Sequence, residues 1–163
     1  MNKQVKHICF SSLFAALIFV ITRFIQIPIP LGYLNFGNCI ILLCCCLLPC
    51  RYAAAAGALG SALADLTSFP VYTVPTLIIK ALFPLVFFAM LKLKIKNDYA
   101  RHITAAAVST LIPLVGYTVT GMILYGGFGA GIAQAPGLAV EYVANLVIFS
   151  IMLTQTVKRK IRL

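Results

Sequence analysis

Apolar runs, each about as long as a bilayer is thick, alternate with short basic clusters along the whole chain. A helix that rises 1.5 Å per residue needs about 20 mostly apolar residues to cross the hydrocarbon core. Basic clusters and Pro or Gly breaks delimit six such runs, at about residues 8–27, 35–48, 50–66, 70–91, 103–125 and 136–157. The sequence therefore predicts an all-α integral membrane protein with six transmembrane helices, in a single membrane domain over residues 1–163.

The composition agrees with a lipid-solvated protein and argues against nucleic-acid binding. Apolar residues make up 62% of the chain, whereas an ordinary soluble domain has about 45–50%. The net charge of +10 arises because the chain has only three acidic residues, Asp65, Asp98 and Glu141. Its bases lie in short clusters between apolar runs and do not form the continuous cationic face that binds phosphates.

The distribution of bases predicts the orientation in the membrane. With six spans the two termini share one side, and all but Arg23 and Lys80 of the 13 Lys and Arg residues fall on that side. They are Lys3, Lys6, Arg51, Lys92, Lys94, Lys96, Arg101, Lys158, Arg159, Lys160 and Arg162. The positive-inside rule therefore predicts cytoplasmic termini and outer loops at about 28–34, 67–69 and 126–135.

The N-terminal run has the basic start and apolar stretch of a signal peptide, but no A-x-A-like site follows it. We expect it to remain as the first helix. Pro28 and Pro30 are expected to end that helix, because proline disrupts helical hydrogen bonding.

The sequence offers no metal, cofactor or catalytic motif. Five of the six cysteines lie in one apolar stretch with no C-x-x-C pair and no nearby histidine, so we interpret them as packing residues. Both histidines lie in basic flanks, away from any nucleophile in the membrane. No phosphate-binding loop is present. We therefore expect no enzyme, no ATP binding, no metal and no cofactor.

Small residues at four-residue spacing mark two helices. In the third helix the pairs include Gly57 with Ser61 and Ala58 with Ala62, which predicts a tightly packed central helix. Ser12 and Ala16 form a similar pair in the first helix. From the residues alone, packing within the chain and docking against another protein are both open for that pair.

Charged residues at membrane depth are the first candidates for function, because they are costly there without a partner. Arg23 lies near the outer end of the first helix, and its head can reach the interface. Asp65 ends the third helix, where it is solvated, caps the next helix or contributes to a binding site. Lys80 lies about ten residues inside the fourth helix, too deep to reach water easily. Glu141 and Asn145 share a face of the sixth helix at i and i+4. A Lys80–Glu141 ion pair is either structural or part of an outward pocket with Asn145.

Tyrosines and threonines are predicted at the same depth: Tyr72 and Thr76 on the fourth helix, Tyr117 on the fifth, and Tyr142 beside Glu141. Tyrosines at this level commonly form an interfacial anchor belt. They would also supply stacking faces and hydrogen bonds for a small heteroaromatic ligand.

Two segments resemble the S component, the substrate-binding membrane subunit, of energy-coupling factor (ECF) vitamin transporters. PLGYLNFGNCIILL is similar to that family's first outer loop and Asn-x-Gly-Asp-like stretch, with Asn35 at its start and Asn38 in place of the usual Asp. AAAAGALGSALADLTSFPVYTVPTLIIKAL resembles its third helix and the start of its fourth, which includes Asp65, Tyr72 and Lys80. The resemblance covers most of the chain, and helices five and six match mainly in character.

The resemblance implies capture of a vitamin or vitamin precursor in an outward pocket near helices four to six, covered by the loop after helix one. It implies association with a transmembrane coupling protein and two cytoplasmic ATPases in a prokaryotic cell membrane, with toppling of the S component delivering the ligand. Ser12 and Ala16 match the family's Ala-x-x-x-Ala docking motif.

The pattern resembles pyridoxine-type or hydroxymethylpyrimidine-type members most, with riboflavin-type members next. The alternatives are a self-sufficient proton-coupled transporter or channel, a small membrane enzyme, and a structural subunit.

Overall fold

The computed structural model describes residues 2–29 and 32–158, and side chains as far as residue 155. Its elements are α1 (Lys3–Phe24), β1 (Gln26–Ile29), β2 (Gly32–Asn35), α2 (Gly37–Leu47), α3 (Cys50–Ser68), α4 (Thr73–Met90), α5 (Asp98–Leu124) and α6 (Phe128–Lys158). A single 3-10 turn, Pro70–Tyr72, leads into α4. Six helices follow one another in the order that the apolar runs predict.

Within the described residues, four stretches are long and apolar enough to cross a membrane: Lys3–Phe24, Pro70–Met90, Asp98–Leu124 and Phe128–Gln155. The helix α2 is shorter, at 11 residues, or about 16 Å at 1.5 Å per residue. The helix α3 has 19 residues and carries a charged residue near each end. The predicted all-α membrane fold is confirmed.

The described residues between α1 and α2 form two short strands, where the sequence predicts only a loop at 28–34. Strands β1 and β2 form an antiparallel hairpin in which Pro28 lies opposite Tyr33 and Gln26 opposite Asn35. A two-stranded ribbon has only edge strands, so Pro28 is tolerated because its missing N–H points away from the partner. The predicted helix stop at Pro30 lies outside the described residues.

The start of α6 differs most from the sequence prediction. The helix begins at Phe128, so residues 128–135, which were predicted as an outer loop, are helical and Pro136 lies inside the helix. Pro84 and Pro113 likewise lie inside α4 and α5. Proline removes one helical hydrogen bond, and neighbouring helices in a membrane protein compensate for that loss. Proline was therefore an unreliable boundary signal in this chain.

The helix α3 is packed between α1 and α4. A Cβ on Gly60 would lie 2.5 Å from the backbone oxygen of Ala15, and one on Gly57 would lie 3.4 Å from the backbone oxygen of Lys80. Backbones that approach so closely leave no room for side chains. The structure thus agrees with the prediction of a central helix made from its small residues.

The core divides into an apolar half and a polar half. Buried side chains from the ends of α2, α4 and α6 and the start of α5, among them Cys44, Phe87, Ala105 and Phe149, form the apolar half. The six cysteines are free, and no His, Cys, Asp or Glu group in the described ranges has the arrangement of a metal site. Most of the buried polar residues, and all the buried charged ones, gather at the opposite end, beneath the hairpin.

The bases of the predicted cytoplasmic side come together at the apolar end. Lys3, Lys6 and Arg101 line one groove there, and Arg51 packs on Tyr52, whose ring lies 5.1 Å from His7. Arg159, Lys160 and Arg162, and the side chain of Lys158, fall outside the described part of the chain.

Candidate functional site

Five elements bring buried polar side chains together beneath the hairpin. The polar groups come from the N-terminal ends of α2, α4 and α6 and the C-terminal ends of α3 and α5, which all reach the same end of the bundle. Of the sequence-predicted site residues, eight are buried: Asn35, Asn38, Asp65, Tyr72, Thr76, Lys80, Glu141 and Asn145. Tyr117 and Tyr142 are half-buried.

Lys80 and Glu141 are joined through an amide. Lys80 Nζ donates to Asn38 Oδ1, and Asn38 Nδ2 donates to Glu141 Oε1 at 2.8 Å. The ion pairs found within the described residues do not include Lys80 with Glu141. The predicted direct pair is therefore wrong, because the Asn38 side chain lies between the two charges and satisfies one atom of each.

Two further amides hold Glu141 in position. Asn145 Nδ2 donates to the backbone oxygens of Asn35 and Glu141, each at 2.9 Å, and its Oδ1 accepts from the Cys39 N–H at 2.8 Å. Asn35 Nδ2 approaches Glu141 Oε1 at 3.5 Å, while its Oδ1 accepts from the Gly37 N–H. Asn145 thus connects α6 to the hairpin and to α2, while Asn38 and Asn35 contact the Glu141 carboxylate itself.

Asp65 is buried, contrary to the expectation that it is solvated or caps the next helix. Its two carboxylate oxygens accept hydrogen bonds from the hydroxyls of Tyr33 and Thr76, and Thr76 in turn lies 3.0 Å from the Tyr117 hydroxyl. The helix α3 continues to Ser68, which carries Asp65 below the surface. Burial and the neighbouring Asp65 raise the pKa of the Tyr33 phenol, so Tyr33 stays protonated and donates. Asp65 therefore attaches the hairpin to α3 and α4.

Aromatic rings complete the site. Tyr72 and Tyr117 pack edge to face at 6.2 Å, and Lys80 Nζ lies 5.2 Å from the centre of the Tyr117 ring. Tyr142 contributes differently, because its hydroxyl donates to the Ala107 backbone oxygen on α5. It lines a smaller cavity on the far side of Tyr117 from the hairpin.

A cavity of about 30 Å³ lies between these groups. It is lined by Gly32, Tyr33, Asn35, Asp65, Phe69, Tyr72, Tyr117, Gln134, Leu138 and Glu141. That volume suits one or two water molecules, whereas drug-sized ligands occupy about 300–1,000 Å³. The hairpin side chains form one wall, so their outward movement is the direct way to enlarge the cavity.

The sequence prediction does not include five of the lining residues: Gly32, Tyr33, Phe69, Gln134 and Leu138. Gln134, whose amide donates to the Tyr72 hydroxyl at 3.3 Å, falls in a predicted outer loop because the sequence predicts that the helix starts at Pro136. Tyr33 lies in the segment PLGYLNFGNCIILL, but only the pairing of the two strands shows that its hydroxyl reaches Asp65. An extension of the apolar pattern of α6 through Ile132 would have given a signal for Gln134.

Ser12 and Ala16 lie apart from this site. Both are exposed on α1, and Ser12 Oγ donates to the Ile8 backbone oxygen within the same helix. Leu13 and Leu17 beside them are also exposed, at 65% and 43%. This face therefore does not pack within the described part of the chain and is available to lipid or another protein.

This chain matches a known protein family and is also similar to an individual protein. The family model described as "ECF-type riboflavin transporter, S component" matches residues 2–159. An uncharacterized protein in the gap 3′ region of Pyrococcus woesei is 32% identical over 133 residues, which is 79% of this chain and 86% of the relative.

Two solved structures share the fold. The S component of a bacterial ECF transporter superposes with a TM-score of 0.76 at 20% identity, over 96% of this chain and 98% of the other. ThiT from Listeria monocytogenes superposes with a TM-score of 0.67 at 16% identity, over 97% and 96%. At these identities the two structures are evidence for the fold alone.

Proposed function

Because the chain belongs to the family of S components of ECF-type riboflavin transporters, we propose that it captures riboflavin in the cavity beneath the hairpin. It is a multi-pass membrane protein of a prokaryotic membrane, a substrate-binding transporter subunit and not an enzyme. The expected preference for pyridoxine or hydroxymethylpyrimidine is corrected, since the matching family is the riboflavin type that the sequence placed second.

The chemistry of the buried network supports a ligand of this class. Riboflavin combines a flat heteroaromatic ring with a polyhydroxyl chain, so it needs stacking faces and many hydrogen-bond partners. Tyr72 and Tyr117 offer the faces, and the Asp65 and Glu141 carboxylates that line the cavity offer the partners. The buried Lys80 ammonium lies behind them, bonded to Asn38. The observation that carries the proposal is this group of buried charges, which are costly at membrane depth and are commonly functional there.

Capture requires the hairpin to move. The Tyr33–Asp65 hydrogen bond attaches the hairpin to the helices, and Asn35 joins it to α6 through Asn145. A hydrogen bond to a charged group contributes about 1.5–3 kcal/mol. The Tyr33–Asp65 bond can therefore hold the hairpin against the helices and can still be broken by a ligand that binds. A ligand hydroxyl that replaces Tyr33 at Asp65 would compensate for the broken bond.

The proposal includes partners that supply energy and complete transport. The sequence contains no phosphate-binding loop, so ATP hydrolysis is assigned to two cytoplasmic ATPases that act through a transmembrane coupling protein. The exposed Ser12 and Ala16 face of α1 is assigned to the coupling protein, since small residues allow close helix contact.

Ligand binding is tested on the purified full chain. Mass spectrometry of the extracted protein should identify co-purified riboflavin, and quenching of riboflavin fluorescence should give a Kd in the nanomolar range, equivalent to about −12 kcal/mol. Pyridoxine and hydroxymethylpyrimidine serve as competitors. Displacement of riboflavin by either one at equal concentration would contradict the assigned ligand class.

Site variants test where the ligand binds. Lys80→Met removes the ammonium and should weaken riboflavin binding by about tenfold or more, since loss of one charged hydrogen bond costs at least about 1.5 kcal/mol. Cys44→Ala is the matched control, because Cys44 is equally buried in the apolar half. Equal loss in both variants, with both still folded, would return Lys80 to a structural role.

The partner assignment is tested separately. Ala16→Trp should prevent co-purification with the coupling protein and leave riboflavin binding unchanged, whereas Val143→Trp, on the exposed face of α6, should affect neither. Liposomes that contain this chain alone should show no uptake. Uptake by the chain alone would support the alternative of a self-sufficient transporter.

A further inference from the structure

A large groove lies at the end of the bundle opposite the hairpin. It has a volume of about 610 Å³ and is formed where α1 and α5 begin and where α2 and α4 end. Its basic lining comes from Lys3, Lys6, His7, Arg101 and His102. Its apolar floor includes Leu48, Phe88 and Leu91. The groove is therefore amphiphilic, with cationic groups beside an apolar surface.

The positive charge at this end is largely uncompensated. Of the three acidic residues in the chain, Asp65 and Glu141 belong to the other end. Asp98 is the third, and it pairs with Arg101 at 2.7 Å while remaining exposed. The exposed bases Lys92, Lys94 and Lys96 follow directly after Leu91 in the α4–α5 connection. An anionic occupant therefore has electrostatic attraction here, and no carboxylate among the described residues lines the groove.

We propose that this groove is a binding site for one anionic phospholipid, such as phosphatidylglycerol. Its phosphate would lie among Lys6, Arg101 and Lys3, and part of an acyl chain would lie against Phe88 and Leu91. Membrane helices end at the depth of the lipid headgroups, and basic pockets between helices on the cytoplasmic side bind such headgroups. The occupant is thus a molecule that already surrounds the site, and a water-filled groove with an apolar floor would be the less favourable state.

An acidic segment of a partner protein is a less suitable occupant. Such a segment would satisfy the bases but would place polar backbone against Phe88, Leu91 and Leu48, where it lacks hydrogen-bond partners. A phospholipid satisfies both surfaces with one molecule.

The test uses the full chain extracted from vesicles that contain phosphatidylglycerol and phosphatidylcholine. Native mass spectrometry should detect one retained phosphatidylglycerol per protein. Lys6→Gln with Arg101→Gln should reduce its retention about tenfold or more, since each cation near the surface contributes about 1 kcal/mol. The matched double variant Lys92→Gln with Lys94→Gln removes the same charge outside the groove and should retain the lipid within about twofold.

The proposal would be overturned if the two double variants retained phosphatidylglycerol equally. It would also be overturned if the unmodified protein retained phosphatidylcholine as well as phosphatidylglycerol, or if excess inorganic phosphate displaced the lipid. Unchanged lipid retention with loss of assembly with the coupling protein would instead assign the groove to a protein partner. A photoactivatable phosphatidylglycerol provides a second measurement on the unmodified protein. It should label peptides that contain residues 3–7 and 88–102, and labelling confined to other segments would also overturn the proposal.

Discussion

The relay from Lys80 through Asn38 to Glu141 predicts a large and specific effect of Asn38→Leu. Leucine has the same branched side-chain skeleton, with two methyl groups in place of the amide oxygen and nitrogen, so the substitution keeps the shape, adds some volume and removes the bridge. Lys80 is 2% exposed, Asn38 1% and Glu141 4%. Bulk water therefore does not reach the three side chains in the closed structure.

The magnitude follows from two hydrogen bonds to charged groups. Asn38 Oδ1 accepts from the Lys80 ammonium, and Asn38 Nδ2 donates to the Glu141 carboxylate. Each such bond contributes about 1.5–3 kcal/mol, and breaking a buried charge arrangement costs about 3–5 kcal/mol. At about 2–4 °C per kcal/mol for a chain of this size, the thermal midpoint should fall by about 6–20 °C.

A double-mutant cycle separates the bridge from simple packing. In the Lys80→Met, Glu141→Gln background both charges are absent, and one neutral hydrogen bond from Asn38 remains, worth about 1 kcal/mol. Asn38→Leu should then cost about 1 kcal/mol, which gives a coupling energy of about 2–4 kcal/mol. The assay is unfolding of the purified chain in detergent, followed by circular dichroism. A cost that agrees within about 0.5 kcal/mol in the two backgrounds would refute the bridging role.

Two further substitutions test other parts of the fold. Tyr33→Phe removes one hydrogen bond to the buried Asp65 carboxylate, worth about 1.5–3 kcal/mol. Hydrogen–deuterium exchange of the hairpin amides should therefore accelerate about 10–100-fold. The control Tyr99→Phe, at the other end of the bundle, should leave the exchange rate of the hairpin unchanged. Gly60→Ala places a Cβ 2.5 Å from a backbone oxygen of α1 and should lower stability by about 1–3 kcal/mol. Gly129→Ala, where nothing lies within 4 Å, should be neutral or stabilising, and a larger loss there than at Gly60 would contradict the close packing of α3.

The helices could be predicted because lipid imposes a simple requirement. Every backbone polar group within the hydrocarbon must be satisfied inside the segment, so an apolar run of sufficient length forms a helix almost regardless of its detailed sequence. The small residues of α3 predicted a central helix for a similar reason, since close backbone approach excludes larger side chains. Both predictions depend only on the residues within each helix and not on its neighbours.

The hairpin and the start of α6 could not be derived in this way. Whether Gln26 pairs with Asn35 depends on the path of two helices that the intervening residues do not specify. Pro136 is compatible both with a helix start and with a helix interior, and the choice depends on neighbours that compensate for its missing N–H. Tyr33 lies in the hairpin and Gln134 at the start of α6, the two segments that the sequence predicts only as loops. Neither residue could therefore be predicted to line the cavity.

The sequence places Lys80 and Glu141 in one pocket but not Asp65, and the structure joins Lys80 to Glu141 through Asn38 and not directly. The sequence interpretation treated Asn38 as the loss of a carboxylate that the resembling family usually has. In the structure this position must accept a hydrogen bond from an ammonium and donate one to a carboxylate. An aspartate there could only accept, and it would leave the Glu141 oxygen facing a second negative charge. The amide at 38 and the carboxylate at 141 therefore form one unit, and the meaning of either residue depends on the other.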